Sequence, residues 1–175
     1  MPRSRPTNIA YTIAKGPGDT DLLLAGLAEQ LHGQGKRLCG TVQINTECEG
    51  DSPCDMDVRI LPEGPDIRIS QSLGKGAKGC RLDPDALESA VAIVRERLTD
   101  GADVMIINKF GKHEADGRGF RDVIAEALAA DVPVLVGLSG LNRDAFQEFS
   151  AGLAVELPPD PAALLAWAEG NKIAA

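Results

Sequence analysis

Aromatic residues are scarce in this 175-residue chain, which has four Phe, one Tyr and one Trp. A hydrophobic core must therefore depend mainly on Leu, Val, Ile and Ala, and the chain is long enough to bury one. Long apolar runs are also missing, because no segment approaches the length that a membrane span needs. We therefore expect a single globular domain over residues 1–175.

Positive charge is in deficit as well: 18 Lys and Arg stand against 26 Asp and Glu, a formal net charge of −8. Such a chain is unsuited to coating nucleic acid or an anionic membrane, since both attract basic surfaces. A small anionic ligand is still compatible with it, because a local cluster of Lys and Arg can sit inside an acidic surface. Self-association stays open.

The first residues, MPRSRPTNIAYTIA, are basic and then briefly apolar. Their apolar stretch is too short for the hydrophobic region of a secretory signal. We therefore expect a cytoplasmic protein whose four cysteines are reduced rather than paired in disulfides.

Strand-like and helix-like segments alternate along the chain. Apolar strands are predicted at Asn8–Ala14, RLCGTVQI, ADVMIIN and VPVLVG, and LAVEL is a further candidate. In the helices, apolar residues recur three or four positions apart. Examples are Leu23, Leu27 and Leu31, then Leu87, Val91, Val94 and Leu98, then Phe120, Ile124, Ala127 and Leu128. Unalternating apolar strands between helices predict a three-layer α/β/α fold with a mostly parallel sheet.

Residues 45–82 interrupt this alternation with Gly, Pro, Asp and Cys. The short alternating stretches DVRIL and DIRIS flank a PEGP turn, which predicts an inserted β-hairpin. An insertion of this length is usually functional or mobile.

The turn after the first strand, KGPGDTD, has glycines where a phosphate-cradling P-loop would stand, but the GxxxxGK[ST] pattern is not met. Asp19 replaces the lysine, and Ile13 replaces the first glycine. The turn therefore reads more readily as a helix start capped by Asp19 or Thr20. It remains a candidate anion site through Gly16, Gly18, Asp19 and Thr20, because the first N–H groups of a helix favour anions.

The segment NKFGKHEADGRGF directly follows the strand ADVMIIN and is rich in cations and glycines. Ligands bind at the carboxyl ends of parallel strands, so its first residues should enter the crevice. We predict that Asn108, Lys109, Lys112 and Arg118 contact an anion and that Glu114 positions a cation or assists a metal. Lys109 is expected to be buried or half-buried, with Asp19 as its partner in the empty protein.

A third glycine- and cation-rich segment is RISQSLGKGAKGCRLD, residues 68–83. Its composition suits an oxyanion nest as well as it suits a polar loop. The candidate contacts are Ser70, Gln71, Ser72, Lys75, Lys78 and Arg81. Cys48, Cys54 and Cys80 are weak candidates for a metal site, because their spacing is not that of a zinc ribbon.

These motifs carry a resemblance to known families. The strand–GPGDTD–helix segment and MIINKFGKHEADGRGFRD resemble the small nucleoside-triphosphatase family of P-loop proteins, in which two acids stand where Asn108 and Lys109 stand here. The stretches CDMDV, RISQSLGKGAKGCRLD and NKFGKHEADGRG are more closely similar to an uncharacterised bacterial domain family often encoded beside molybdate-transport genes. That similarity covers Asn8 to Leu157.

The resemblance implies a degenerate P-loop-type protein that binds a phosphate-like ligand, either a nucleotide with Mg²⁺ or an oxyanion such as molybdate, with an accessory role in molybdenum metabolism. Hydrolysis is not expected by the usual route, because the P-loop lysine and both strand-end acids are absent. Two alternatives stay open. One is an active nucleoside triphosphatase or phosphotransferase with a rearranged site, and the other is an interaction module with a relic site.

Overall fold

The computed structural model describes residues 8–16, 18–45, 56–71 and 82–170. Within them, the chain forms one seven-stranded sheet in the order β4-β3-β2-β5-β6-β1-β7. The strands are β1 Ile9–Thr12, β2 Leu38–Asn45, β3 Met56–Ile60, β4 Asp66–Arg68, β5 Val104–Ile107, β6 Val134–Gly137 and β7 Val155–Leu157. In the spatial order β2-β5-β6-β1-β7, each strand pairs parallel with its neighbour. At the edge next to β2, β3 pairs antiparallel with β2, and β4 pairs antiparallel with β3.

Helices cover both faces of the sheet. They are α1 Asp19–Gly33, α2 Pro84–Leu98, α3 Lys112–Ala115, α4 Arg121–Ala129, α5 Arg143–Phe149 and α6 Pro161–Ala168, with a 3-10 turn at Gly140–Asn142. One face buries Leu24, Leu27 and Leu31 of α1 together with Leu164 and Trp167 of α6. The other buries the apolar residues of α2, α4 and α5. The predicted α/β fold with a mostly parallel sheet is confirmed.

The inserted segment contains the predicted hairpin. β3 and β4 correspond to DVRIL and DIRIS, and they pair with Asp57 opposite Arg68 and Arg59 opposite Asp66. Both cross-strand pairs are also ion pairs. The hairpin therefore adds two strands to the edge of the parallel sheet instead of forming a separate domain.

The two helix starts that the sequence indicates have different outcomes. Asp83 caps α2 as predicted, since its carboxylate accepts hydrogen bonds from the N–H groups of Asp85 and Ala86. The prediction for α1 is wrong, because Gly18 precedes the helix with φ 76° and no side chain caps it. Only glycine enters this left-handed conformation without strain. Asp19 is thereby shifted into the first helical turn.

The few aromatic rings are concentrated in one place. Tyr11, Phe110, Phe146 and Phe149 form a cluster with ring centroids 5.1–6.1 Å apart. Edge-on contacts of this kind contribute beyond the apolar area they bury. The cluster packs α5 against the ends of β1 and β5 and so fixes the loop that follows β5.

No helix in the described part of the chain is long and apolar enough to cross a membrane.

Candidate functional site at the carboxyl edge

The carboxyl ends of the parallel strands form one edge of the sheet, and two polar loops lie at this edge. The first loop, residues 13–18, follows β1, and the second loop, residues 108–111, follows β5. Because β6 separates β1 from β5, the two loops lie about 10 Å apart. The helices that follow the adjacent strands β1 and β6 lie on opposite faces of the sheet, since α1 packs in one core cluster and α5 in the other. A crevice at such a switch point is the usual ligand site of an open α/β sheet.

Local hydrogen bonds tighten the first loop. Asp19 N–H donates to the carbonyl of Gly16 (3.1 Å), and Ala14 N–H donates to Oγ1 of Thr20 (3.2 Å). The carboxylate of Asp19 lies directly against Gly16, where no Cβ would fit. A negative charge therefore covers the loop at the position where a P-loop would carry its lysine. Asp19 therefore differs from the P-loop pattern both in residue type and in the charge that it places over the loop.

An open depression of ≈ 540 Å³ adjoins the first loop. Its lining residues are Ala14, Lys15, Asp19, Leu22, Leu23 and Pro159. Its lining combines apolar residues with Lys15 and Asp19, so it offers both a cation and a carboxylate to a ligand.

Asn108 joins the second loop to two other segments. Its Oδ1 accepts from Gln43 N–H (2.9 Å), and its Nδ2 donates to Oδ1 of Asp21 (2.7 Å) and, more weakly, to Oε1 of Gln43 (3.5 Å). The side chain is buried, with 4% of Asn108 exposed. Gly137 passes so close to the carbonyl of Asn108 and the methyl of Thr20 that a Cβ would collide with both. The ends of β2, β5, β6 and the start of α1 are therefore packed together.

Lys109 differs from its prediction, because it is exposed instead of half-buried. Burial alternates just after β5, where Asn108 and Phe110 are buried and Lys109 between them lies in solvent. Within the part of the chain that the structure describes, neither Lys109 nor Asp19 forms an ion pair. The predicted Lys109–Asp19 pair is therefore not formed.

Glu114 also has a different role from the one predicted. It is 3% exposed, and its two carboxylate oxygens accept from Gly111 N–H (2.8 Å) and Phe120 N–H (3.3 Å). Burial raises the pKa of Glu114 above its ordinary value of 4.5, although these backbone hydrogen bonds oppose the shift. Its carboxylate braces the turn between α3 and α4, and it forms no ion pair with a Lys or Arg among the described residues. A neighbouring brace comes from Glu88, whose Oε1 contacts His113 Nε2 and accepts from Gly119 N–H.

The raised pKa of Glu114 gives a testable pH dependence. Above pH 4.5, the folded protein retains a proton that the unfolded chain releases, so rising pH favours unfolding. We expect the free energy of unfolding of the wild type, relative to Glu114→Gln, to fall as pH rises from 4.5 through the raised pKa. Urea unfolding across that range measures it. A difference that stays constant with pH contradicts this account.

Cations without a carboxylate partner collect at this edge. Lys15 on the first loop, Lys109 on the second, and Lys112 and Arg118 just beyond it are all exposed. Among the described residues, none of the four forms a salt bridge. The arginines that do, such as Arg37, Arg95 and Arg143, pair elsewhere on the surface. The two loops and the start of α3 therefore present exposed cations that form no ion pair within the described part of the chain.

The remaining predicted residues are less informative. Ser70 Oγ accepts from Met56 N–H and Gln71 Nε2 donates to the carbonyl of Leu82, so both support the chain next to β4. β4 lies three strands from β5 and five from β1. Ser72, Lys75, Lys78, Arg81, Cys48, Cys54 and Cys80 lie outside the described residues. Within the described ranges, no group of three or more His, Cys, Asp and Glu is arranged to hold a metal ion.

Three residues at this edge were not predicted from the sequence: Lys15, Asp21 and Gln43. Lys15 follows β1 much as Lys109 follows β5, so the same reasoning from strand ends was available. Asp21 and Gln43 gave no such signal, because their contact with Asn108 joins positions 87 and 65 residues apart. Cys39 is a core residue, and burial raises the pKa of its thiol to about 11.

Fold and edge together define a three-layer α/β protein with a mostly parallel sheet, in which the loop after β1 carries an acid and the end of β5 carries an amide. The family described as "protein of unknown function (DUF2478)" matches residues 9–167, and this chain belongs to it. The chain is also 35% identical over 162 residues to the "Molybdenum import ATP-binding protein ModC 2" of Bradyrhizobium diazoefficiens. That match covers 93% of this chain but only 18% of the relative. No solved structure matches this chain.

Proposed function

We propose that this protein binds a small phosphate-like anion at the carboxyl edge without hydrolysing it, and that it serves molybdenum import. The observation that carries the proposal is the group of exposed Lys and Arg side chains on and just beyond the loops after β1 and β5, which have no carboxylate partner among the described residues. Exposed cations attract an anion. Lys15 and Lys109 flank the edge, and Lys112 and Arg118 extend it.

The relative's printed name supports the molybdenum part of the proposal. A domain similar to this chain over nearly its whole length makes up a small part of a much longer protein named for molybdenum import and ATP binding. Molybdate and the phosphates of a nucleotide are both tetrahedral oxyanions, so the same Lys and Arg donors suit either. The ligand class that we propose therefore includes both.

Slow or absent hydrolysis follows from the chemistry of the edge. Phosphoryl transfer requires cationic groups and a held metal ion against the developing charge. Here Asp19 stands over the first loop, and the amide of Asn108 is engaged by Asp21 and Gln43. We expect ATP and GTP turnover far below about 1 per second, the lower range of competent enzymes. Turnover at that rate, measured by phosphate release, would favour the rearranged-enzyme alternative.

A thermal-shift screen against molybdate, tungstate, sulfate, phosphate and nucleotides tests binding directly. A ligand at 100 times its Kd stabilises the native state by about 2.7 kcal/mol, which is a readily measured shift. We expect Lys109→Ala to weaken the binding of the best anion about tenfold, because one charge-assisted hydrogen bond is lost.

Lys36→Ala is the matched control for that substitution. Lys36 is also exposed, but it lies in the turn before β2, at the opposite edge of the sheet. It should leave anion binding unchanged. Equal affinity of Lys109→Ala and the parent would contradict the role proposed for the second loop.

An interaction module is the second candidate, and two exposed leucines favour it. Leu22 at the start of α1 is 75% exposed, and Leu141 after β6 is 95% exposed. Both lie at the same carboxyl edge, and large exposed apolar groups at one edge often mark a binding surface. Two results together would select this function: no anion raises the melting temperature in the screen, and the protein self-associates in a way that Leu141→Ser abolishes.

A further inference from the structure

The amide of Asn108 has only one possible orientation. Gln43 N–H is a donor, so it must face the amide oxygen, and the carboxylate of Asp21 is an acceptor, so it must face the NH₂ group. Turning the amide over would set donor against donor and acceptor against acceptor. At the end of β5, the side chain of Asn108 therefore directs its NH₂ group, and not its oxygen, toward Asp21 of α1.

Proteins of P-loop type hold Mg²⁺ with a Ser or Thr hydroxyl and a strand-end carboxylate. Mg²⁺ requires oxygen ligands at short distances in near-octahedral geometry. At this edge, the oxygen of Asn108 points away from α1, and one lone pair of Thr20 Oγ1 is taken by Ala14 N–H. The carboxylate of Asp21 is already bonded by Nδ2 of Asn108. The donor set between β5 and α1 therefore does not fit a divalent cation.

We infer that this edge excludes divalent metal ions, that Asn108 is the residue responsible, and that the anion is consequently bound as the free oxyanion and not as its magnesium complex. The second half of this inference rests on the proposed function, because it concerns the ligand of that same site. The first half concerns the chain's own residues and stands without any anion.

Direct Mn²⁺ binding to the full-length protein, followed by electron paramagnetic resonance, tests the role of Asn108. Asn108→Asp would place a second carboxylate within hydrogen-bond distance of Asp21, and two carboxylates so close must share a proton or a cation. We expect Asn108→Asp to bind Mn²⁺ at least tenfold more tightly than the wild type, and Asp21→Asn in the wild type to leave Mn²⁺ binding unchanged.

The exchange variant Asp21→Asn with Asn108→Asp is the matched control. It has the same composition as the wild type and can keep the two shorter hydrogen bonds of position 108, because the strand-end carboxylate would accept both from Gln43 N–H and from the amide at position 21. We expect it to bind Mn²⁺ no better than the wild type. Should Asn108→Asp unfold without metal, Mn²⁺ is expected to restore its folded circular dichroism signal.

Three results would overturn the metal inference. They are wild-type Mn²⁺ binding that Asp21→Asn removes, no gain of Mn²⁺ affinity in Asn108→Asp, and an unfolded Asn108→Asp that Mn²⁺ does not rescue.

The anion half is tested by titrating molybdate and ATP into the wild type with MgCl₂ or with EDTA. Equal Kd values in both conditions support it, and a Kd at least tenfold lower with MgCl₂ overturns it. If neither probe binds in either condition, the proposed function and the anion half both fail, while Mn²⁺ binding still decides the role of Asn108.

Discussion

Phe146→Ala is expected to lower the free energy of unfolding by about 3–5 kcal/mol, the range for truncating a buried Phe. The ring of Phe146 is fully buried and makes edge-on contacts with Tyr11 and Phe110, at centroid distances of 5.5 and 5.1 Å. Urea unfolding followed by circular dichroism measures the loss.

The same substitution should loosen the second loop. Phe110 N–H donates to the carbonyl of Gly137, and its ring rests on Phe146. We therefore expect faster hydrogen exchange at the Phe110 amide in Phe146→Ala. Leu141→Ala is the control: it removes an apolar side chain that is 95% exposed, so it should change stability by less than about 0.5 kcal/mol. Similar losses in the two variants would mean that the aromatic cluster does not carry the packing described.

Asn108→Leu is expected to destabilise the protein by about 3 kcal/mol, although leucine has a similar size. The substitution takes the acceptor from Gln43 N–H and the donor from the carboxylate of Asp21. Losing one partner of a buried polar group costs about 1–3 kcal/mol, and more when the group is charged. Equilibrium unfolding at neutral pH measures the difference.

Asn142→Leu gives the matched comparison. Nδ2 of Asn142 bonds only to Oγ of Ser139 among the described contacts of its side chain, in a partly exposed turn. We expect a loss well under half of that for Asn108→Leu, because water can replace this bond. If both variants lose the same stability, the three contacts of Asn108 do not bind β2, β5 and α1 together.

Much of the candidate site can be predicted from the residues that directly follow the apolar strands. Lys109 and Asn108 were predicted at the carboxyl edge because they follow an apolar strand, and Asp19 was read as an acid in a turn that would carry a lysine. The roles of individual residues at this edge could not be predicted as well from the sequence. Lys109 was expected inside, but the chain after β5 buries Asn108 and Phe110 and leaves Lys109 in solvent. Glu114 was expected to meet a cation, but it accepts N–H groups from residues three and six positions away.

The sequence by itself determined the alternation of strands and helices, the hairpin around PEGP, the cap at Asp83 and the absence of a P-loop lysine. Each of these depends on residue type and on neighbours a few positions away, because backbone preference and hydrophobic period are local properties. Only the tertiary structure decided which polar groups meet. Asp21, Gln43 and Asn108 are separated by tens of residues, and the strand order β2-β5-β6-β1 brings them within hydrogen-bond distance. Their pairing, and the metal exclusion that follows from it, depends on contacts that no local pattern encodes.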